Sequence, residues 1–198
     1  GLHGLEVPKL AILLAAVAGV PGRAAEEGDP ASGTDGWAAR FAAAPQAAEA
    51  RATRETPHLL LVGDPGTGKS QLLRAARGLF DRGVCVSGVG ATRAGLTCAC
   101  VREDGCWSVE AGALPLADGG VCCVDEFSHA GGEELAALYE AMEQQTISVA
   151  RAGLVCRLRT RCSVVAAQNW AGGGTAAGGA AGLTGLPPPL LSRFDLLV

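Results

Sequence analysis

Apolar residues gather into short runs along this chain, and the spacing inside each run separates helices from strands. Leu5, Leu10, Ile12, Leu13 and Leu14 predict a helix within residues 5–18, ended by Gly19, Pro21 and Gly22. Residues 22–56 follow, rich in Ala, Gly, Pro and Glu with little apolar periodicity, and read as a mobile insertion or linker. After Pro57 the pattern sharpens: 58–62 is a short buried strand, 63–68 a loop and 69–79 a helix. A second strand is predicted over 84–89, and an irregular hairpin from 96–101 and 106–109 around Asp104 and Gly105. Val121, Cys122, Cys123 and Val124 stand in a row ahead of Asp125, the mark of a strand buried on both faces. Leu135, Leu138 and Met142 at i, i+3 and i+7 predict a helix over 133–145. Residues 146–149 and 154–158 flank Ala150, Arg151, Ala152 and Gly153 as a β-hairpin, 163–167 is another buried strand leading to Asn169, and 172–185 reads as a low-complexity loop. Strands alternating with helices over 57–198 predict a three-layer α/β domain on a parallel sheet, preceded by a helical segment, 1–21, and the insertion, 22–56.

Composition changes this picture little. With 198 residues, 48% of them hydrophobic and 18% charged, one well-buried domain is expected. The chain opens on Gly1 and stops at Val198 inside an apolar run, so both ends read as cut. The apolar run 10–18 is far short of the roughly 20 residues that span a bilayer and has no basic flank typical of a leader, so no membrane partner is expected. Eight cysteines sit largely in strand-like runs, without a C-x-x-C pair; Cys98 and Cys100, two apart, share a strand face with no second pair at zinc spacing, and core thiols are expected.

The net charge of −4 gives no overall pull toward nucleic acid, but its distribution is uneven. Between Gln144 and Phe194 there is no acidic residue, while Arg151, Arg157, Arg159, Arg161 and Arg193 are all basic. Lys9 and Lys69 are the only lysines, and a lysine kept amid arginines points to a need for a compact ammonium.

Gly63-Asp64-Pro65-Gly66-Thr67-Gly68-Lys69-Ser70 satisfies G-x-x-x-x-G-K-[ST] between a predicted strand and a predicted helix, with Gln71 next on that helix. Glycines let the loop wrap so that backbone N–H groups and the helix N-terminus face phosphate oxygens. ATP with Mg²⁺ is the expected ligand: Lys69 would neutralise the β and γ phosphates, and the Ser70 hydroxyl would ligate the metal. Asp125 and Glu126 end the buried strand that would carry them to the same edge, Asp125 toward Mg²⁺ and Glu126 toward the attacking water. Asn169 ends another strand and is either a turn former or an amide within reach of the γ-phosphate. Arg193 has no role that its own sequence context assigns. His3, His58 and His129 are scattered without ligand-spaced partners and receive none; Trp107 reads as a packing residue, and Trp37 and Trp170 are uninformative.

Taken together, Gly63 to Ser70, Gly95-Leu96-Thr97, Glu110-Ala111-Gly112-Ala113-Leu114, Asp125-Glu126-Phe127, Glu140-Ala141-Met142-Glu143-Gln144-Gln145 and Leu191-Ser192-Arg193-Phe194-Asp195 resemble the minichromosome maintenance (MCM) helicases over 57–198. The resemblance implies a three-layer P-loop NTPase sandwich of AAA+ type with inserted β-hairpins, and a hexameric ring of like or paralogous subunits with ATP sites between them. It makes Asn169 the residue that senses the γ-phosphate and Arg193 the arginine finger offered to a neighbour. It makes 92–109 and 146–161 hairpins facing a channel for single-stranded or forked DNA, with Arg151 as the DNA contact, in a nuclear protein of repair or replication.

Departures from the family pattern are Gly68 where most replicative members carry Ala, Arg151 for Lys, Trp170 for Pro, and a stretch 171–185 reduced mostly to Gly and Ala. The family's N-terminal zinc and oligonucleotide-binding domain and its helical lid fall outside this length of chain, so these residues alone are not expected to unwind DNA. Two alternatives stand beside a helicase motor: a protein-remodelling AAA+ ATPase, and a truncated nucleotide-binding partner without turnover.

Overall fold

A computed structural model describes residues 4–18, 56–103, 106–151, 154–171 and 179–198. The expected insertion at 22–56 falls, except for Thr56, outside the described residues, as do Asp104, Gly105, Ala152 and Gly153. No described helix is long and apolar enough to cross a membrane.

In chain order the elements are α1 (Glu6–Ala18), β1 (Leu59–Gly63), α2 (Lys69–Arg77), β2 (Gly83–Ser87), α3 (Arg93–Leu96), β3 (Cys98–Glu103), β4 (Cys106–Ala111), α4 (Ala113–Leu116) and β5 (Val121–Asp125). A 3-10 turn (Phe127–His129) then leads to α5 (Gly132–Gln144), β6 (Thr146–Arg151), β7 (Leu154–Arg159), β8 (Ser163–Asn169), α6 (Gly179–Thr184), α7 (Pro188–Leu191) and β9 (Leu196–Leu197). The central sheet is parallel, in the order β2-β5-β8-β1-β9, with two separate antiparallel hairpins, β3-β4 and β6-β7. This is the predicted three-layer P-loop architecture with its two inserted hairpins.

The strand pleat divides the core. Leu59, Leu61, Val121, Cys123, Val165 and Ala167 point to one face, where α1 and α2 cover them through Ile12, Leu72 and Leu73. Leu60, Cys122, Val124, Val164 and Ala166 point to the other and meet Leu114, Phe127, Leu138 and Met142. Both faces being covered explains why these strands read as continuous apolar runs rather than as alternation. Cys98, Cys122, Cys123 and Cys162 are buried as expected of core thiols, and burial pushes Cys162 up to about 12. Cys85 departs from that expectation: it is exposed, because β2 is the edge strand.

Three elements differ from expectation. Within the predicted loop 172–185, residues 179–184 form α6, held by tertiary contacts: Ala171 donates to the Leu183 carbonyl (2.9 Å), and Gln168 Nε2 to that of Thr184 (3.0 Å). The β3-β4 hairpin is regular rather than irregular, pairing six residues from Cys98↔Ala111 to Glu103↔Cys106. Trp107 does not pack into the core. It is 46% exposed, with the Arg102 guanidinium 6.0 Å from its ring centre across the hairpin.

His58 carries structure that its sequence context did not reveal. Its ring is buried; Nδ1 accepts the Val164 N–H at 3.0 Å, and Nε2 lies 3.5 Å from the Met142 carbonyl. Its backbone N–H donates to Asp195 Oδ2 at 2.7 Å. One residue therefore ties the start of β1 to β8, to the end of α5 and to the entry into β9.

Candidate nucleotide site

Because the central strands are parallel, their C-terminal ends share one edge, and the predicted chemistry collects there. Gly63 ends β1 in register with Asn169 at the end of β8, and Asp125 ends β5 one strand further on. Between Gly63 and α2 the loop turns back through Gly66 (φ 81°) and Gly68 (φ 88°), a left-handed conformation that a side chain would disfavour. It delivers the free N–H groups at the start of α2 to the same edge. Lys69 Nζ lies over its own loop, donating to the carbonyls of Gly63 (2.8 Å) and Asp64 (2.7 Å), with Thr67 Oγ1 at 3.3 Å. Burial lowers its pKa from the usual lysine value, against the upward pull of Asp125 and then Asp64.

A cleft of about 370 Å³ opens over this loop. Of the predicted residues it brings together Pro65, Gly66, Gly68, Lys69, Ser70, Gln71, Asp125, Glu126 and Asn169. Asp64 and Thr67 are exposed on the loop itself, the Thr67 hydroxyl donating to the Asp64 carbonyl at 2.9 Å. Ser128, His129 and Gln168 also line the cleft and escaped the sequence reading. Their signal was position alone: Ser128 and His129 sit two and three residues beyond Glu126, on the 3-10 turn that follows it.

The donor set fits a magnesium nucleotide. Ser70 offers a hydroxyl, Asp125 and Glu126 offer carboxylates, and Lys69 and the α2 N-terminus offer positive charge. Among the described residues no group of three or more His, Cys, Asp or Glu could hold a metal alone. Mg²⁺ is a hard ion usually held by one or two carboxylates together with substrate phosphates, and Asp125 and Glu126 supply carboxylates of that kind.

Glu126 is held by backbone as well as by sequence. It adopts a left-handed conformation (φ 52°), its N–H donates to Asp125 Oδ1 (3.0 Å), and its carbonyl receives the His129 N–H (3.0 Å). Gly88 packs directly beneath. Its N–H donates to the Asp125 carbonyl at 2.7 Å, and a Cβ there would collide with the Glu126 carbonyl oxygen. Gly88→Ala is therefore expected to displace Glu126, lowering turnover roughly 10- to 100-fold while ATP affinity stays within a few-fold. Steady-state kinetics beside a nucleotide-binding titration check this, and a folded variant with normal kcat would contradict it.

Arg193 and Arg151 are not brought to the cleft. Asp195 and Leu196 donate to the His58 carbonyl, so Arg193 lies beside the start of β1, whereas the phosphate loop leaves its end. Five residues at about 3.3 Å each make that separation roughly one strand length, some 13–17 Å, too far for a side chain to reach its own loop. Arg193 instead meets α5: Nε lies 2.8 Å from Glu143 Oε2, a terminal nitrogen donates to the Tyr139 hydroxyl (3.1 Å), and Cζ is 5.1 Å from that ring's centre. Arg151 ends β6, paired with Leu154, at the far end of the hairpin that leaves α5 near Thr56, and it does not line the cleft.

The MCM P-loop domain profile matches residues 38–198. The chain belongs to the MCM family. Among similar proteins, the probable DNA helicase MCM9 of Oryza sativa subsp. indica is 44% identical over the whole of this chain, which covers 26% of that protein. The probable DNA helicase MCM9 of Arabidopsis thaliana is 51% identical over 73% of this chain and 22% of its own length. DNA helicase MCM8 of Rattus norvegicus is 48% identical over 73% of this chain and 18% of its own. The chain thus spans about a quarter of the length of the relatives it matches, or less. Within the MCM family, Gly68 ahead of Lys69 and the run 121–124 ahead of Asp125 resemble the ninth paralogue, in keeping with the first two of these relatives.

Proposed function

We propose that this MCM domain binds ATP with Mg²⁺ in the cleft and hydrolyses it at a site completed by Arg193 of a neighbouring subunit, as the motor of a hexameric DNA helicase. The carrying observation is the pairing of a full set of phosphate-facing groups at one sheet edge with Arg193 at the other. Lys69 and the loop N–H groups hold the β and γ phosphates, and Ser70 and Asp125 would hold Mg²⁺, which offsets charge on the phosphate oxygens. Asn169 fixes the γ-phosphate or the water. Glu126 accepts the proton as the water oxygen bonds to γ-phosphorus and the bond to the bridging oxygen breaks, giving ADP and phosphate. Arg193 of the next subunit meets the charge that develops. DNA, single-stranded or forked, is the track, and the nucleus the compartment, in repair or replication. The relatives are named as DNA helicases, which supports this reading over protein remodelling.

The DNA contact assigned here is Arg151. Of the acid-free arginine run, Arg161 is tied to Asp118 at 3.1 Å, while Arg157 and Arg159 are exposed on β7 behind the hairpin end. A backbone contact by one guanidinium is sequence-independent and salt-sensitive. Arg151→Ala in the full-length protein is expected to weaken binding equally for all single-stranded sequences and to reduce the slope of log affinity against log salt by about 0.7. DNA-stimulated ATP turnover should fall with it while basal turnover persists. Unchanged affinity, slope and stimulation would remove Arg151 from the DNA surface, and a full-length protein whose turnover ignores DNA would remove the helicase reading.

A further inference from the structure

We infer that Tyr139 and Glu143 are positioning residues for Arg193, aiming the guanidinium that one subunit offers to its neighbour's ATP; this rests on the trans role of Arg193 proposed above. Four residues apart, they share one face of α5. Glu143 Oε2 forms an ion pair with the guanidinium, 2.8 Å from Arg193 Nε, the Tyr139 hydroxyl accepts from a terminal nitrogen at 3.1 Å, and the tyrosine ring lies 5.1 Å from Cζ. Together a carboxylate, a hydroxyl and an aromatic face fix both the place and the plane of a flat, forked cation. An arginine otherwise loses considerable rotamer freedom on docking; holding it beforehand removes that cost from the rate-limiting step.

Glu143 also offsets part of the charge that Arg193 would bring, so two effects oppose each other. The glutamate side chain is 45% exposed and the arginine 27%, so solvent screens the loss of charge. A misplacement of about 1 Å in a catalytic group, by contrast, can cost roughly 100-fold. Positioning therefore outweighs neutralisation.

The support continues into the core. Phe194, the next residue, meets Phe127 edge-on, with ring centres 5.7 Å apart and planes at 85°, and Phe127 directly follows Glu126. Helix α5 begins beyond that turn and runs 13 residues, about 20 Å, to the edge where Arg193 sits. The helix that begins six residues after a subunit's own Glu126 thus ends by holding the arginine meant for the next site.

In the assembled full-length protein, Glu143→Ala and Tyr139→Phe together are expected to lower kcat for ATP about 10- to 100-fold with KM within a few-fold, both being mild changes on a partly exposed helix face. In an Arg193→Ala background the same pair should be silent, since a residue acting only through Arg193 has nothing left to position. If Arg193→Ala itself leaves turnover intact, the trans role fails. If Arg193→Ala abolishes turnover but the pair keeps wild-type or faster kcat, the trans role stands and the positioning role is overturned. A further loss of activity from the pair in the Arg193→Ala background overturns it as well, because the damage then travels by another route.

Discussion

Arg193→Ala in the full-length assembled protein is expected to cut steady-state ATP turnover by roughly 10³- to 10⁵-fold, the range that arginine fingers contribute. The residue lies about a strand length from its own phosphate loop, so its side chain does not reach the phosphates bound by the chain that bears the change. Subunit mixing separates the two locations. A Lys69→Ala chain has a disabled loop but an intact Arg193; an Arg193→Ala chain has the reverse. In rings mixed equally, roughly a quarter of head-to-tail interfaces pair an intact loop with an intact arginine, and turnover should reappear in about that proportion. Mixed rings that exchange subunits and show no recovery would count against action in trans.

Lys69→Ala is expected to reduce turnover below detection and to weaken ATP binding strongly, measured by nucleotide titration and phosphate release. The γ-phosphate loses its main cation, and the chain's other lysine, Lys9, lies on α1, far along the sequence. Normal ATP affinity and turnover in this variant would remove the nucleotide site from the cleft. Glu126→Gln makes the contrast: it keeps shape and the left-handed backbone but removes the proton acceptor, so ATP should bind with near-normal affinity and persist. The difference between the two variants separates the group that holds phosphate from the group that handles the water.

Much of this was legible because each motif is local and each ends a strand. The phosphate loop follows β1, Asp125 and Glu126 follow or end β5, and Asn169 ends β8; once the strands are parallel, topology alone brings the three to one edge. Contacts between distant parts of the chain were not legible. Nothing in the sequence around Arg193 points to Tyr139, 54 residues away, or around His58 to Val164, 106 away. Such pairs depend on how layers stack, which periodicity does not report. Ser128 and His129 escaped because a 3-10 turn after the acidic pair, rather than any motif, carries them into the cleft. Trp107 misled for the opposite reason: a large aromatic in a strand reads as core, but β3 and β4 form their own two-stranded sheet, and Trp107 stays 46% exposed on it.

The placement of loop and arginine at opposite edges has an arithmetic consequence. With Arg193 acting in trans as proposed, a lone chain would have no working site, an open row of chains would have one fewer site than it has members, and only closure would make the two numbers equal. Activity per chain should therefore climb with protein concentration and fall on dilution even where every molecule stays folded and saturated with ATP. Measured against dilution, the loss should be fully reversible on reconcentration, and a crosslink that seals the last gap should abolish it.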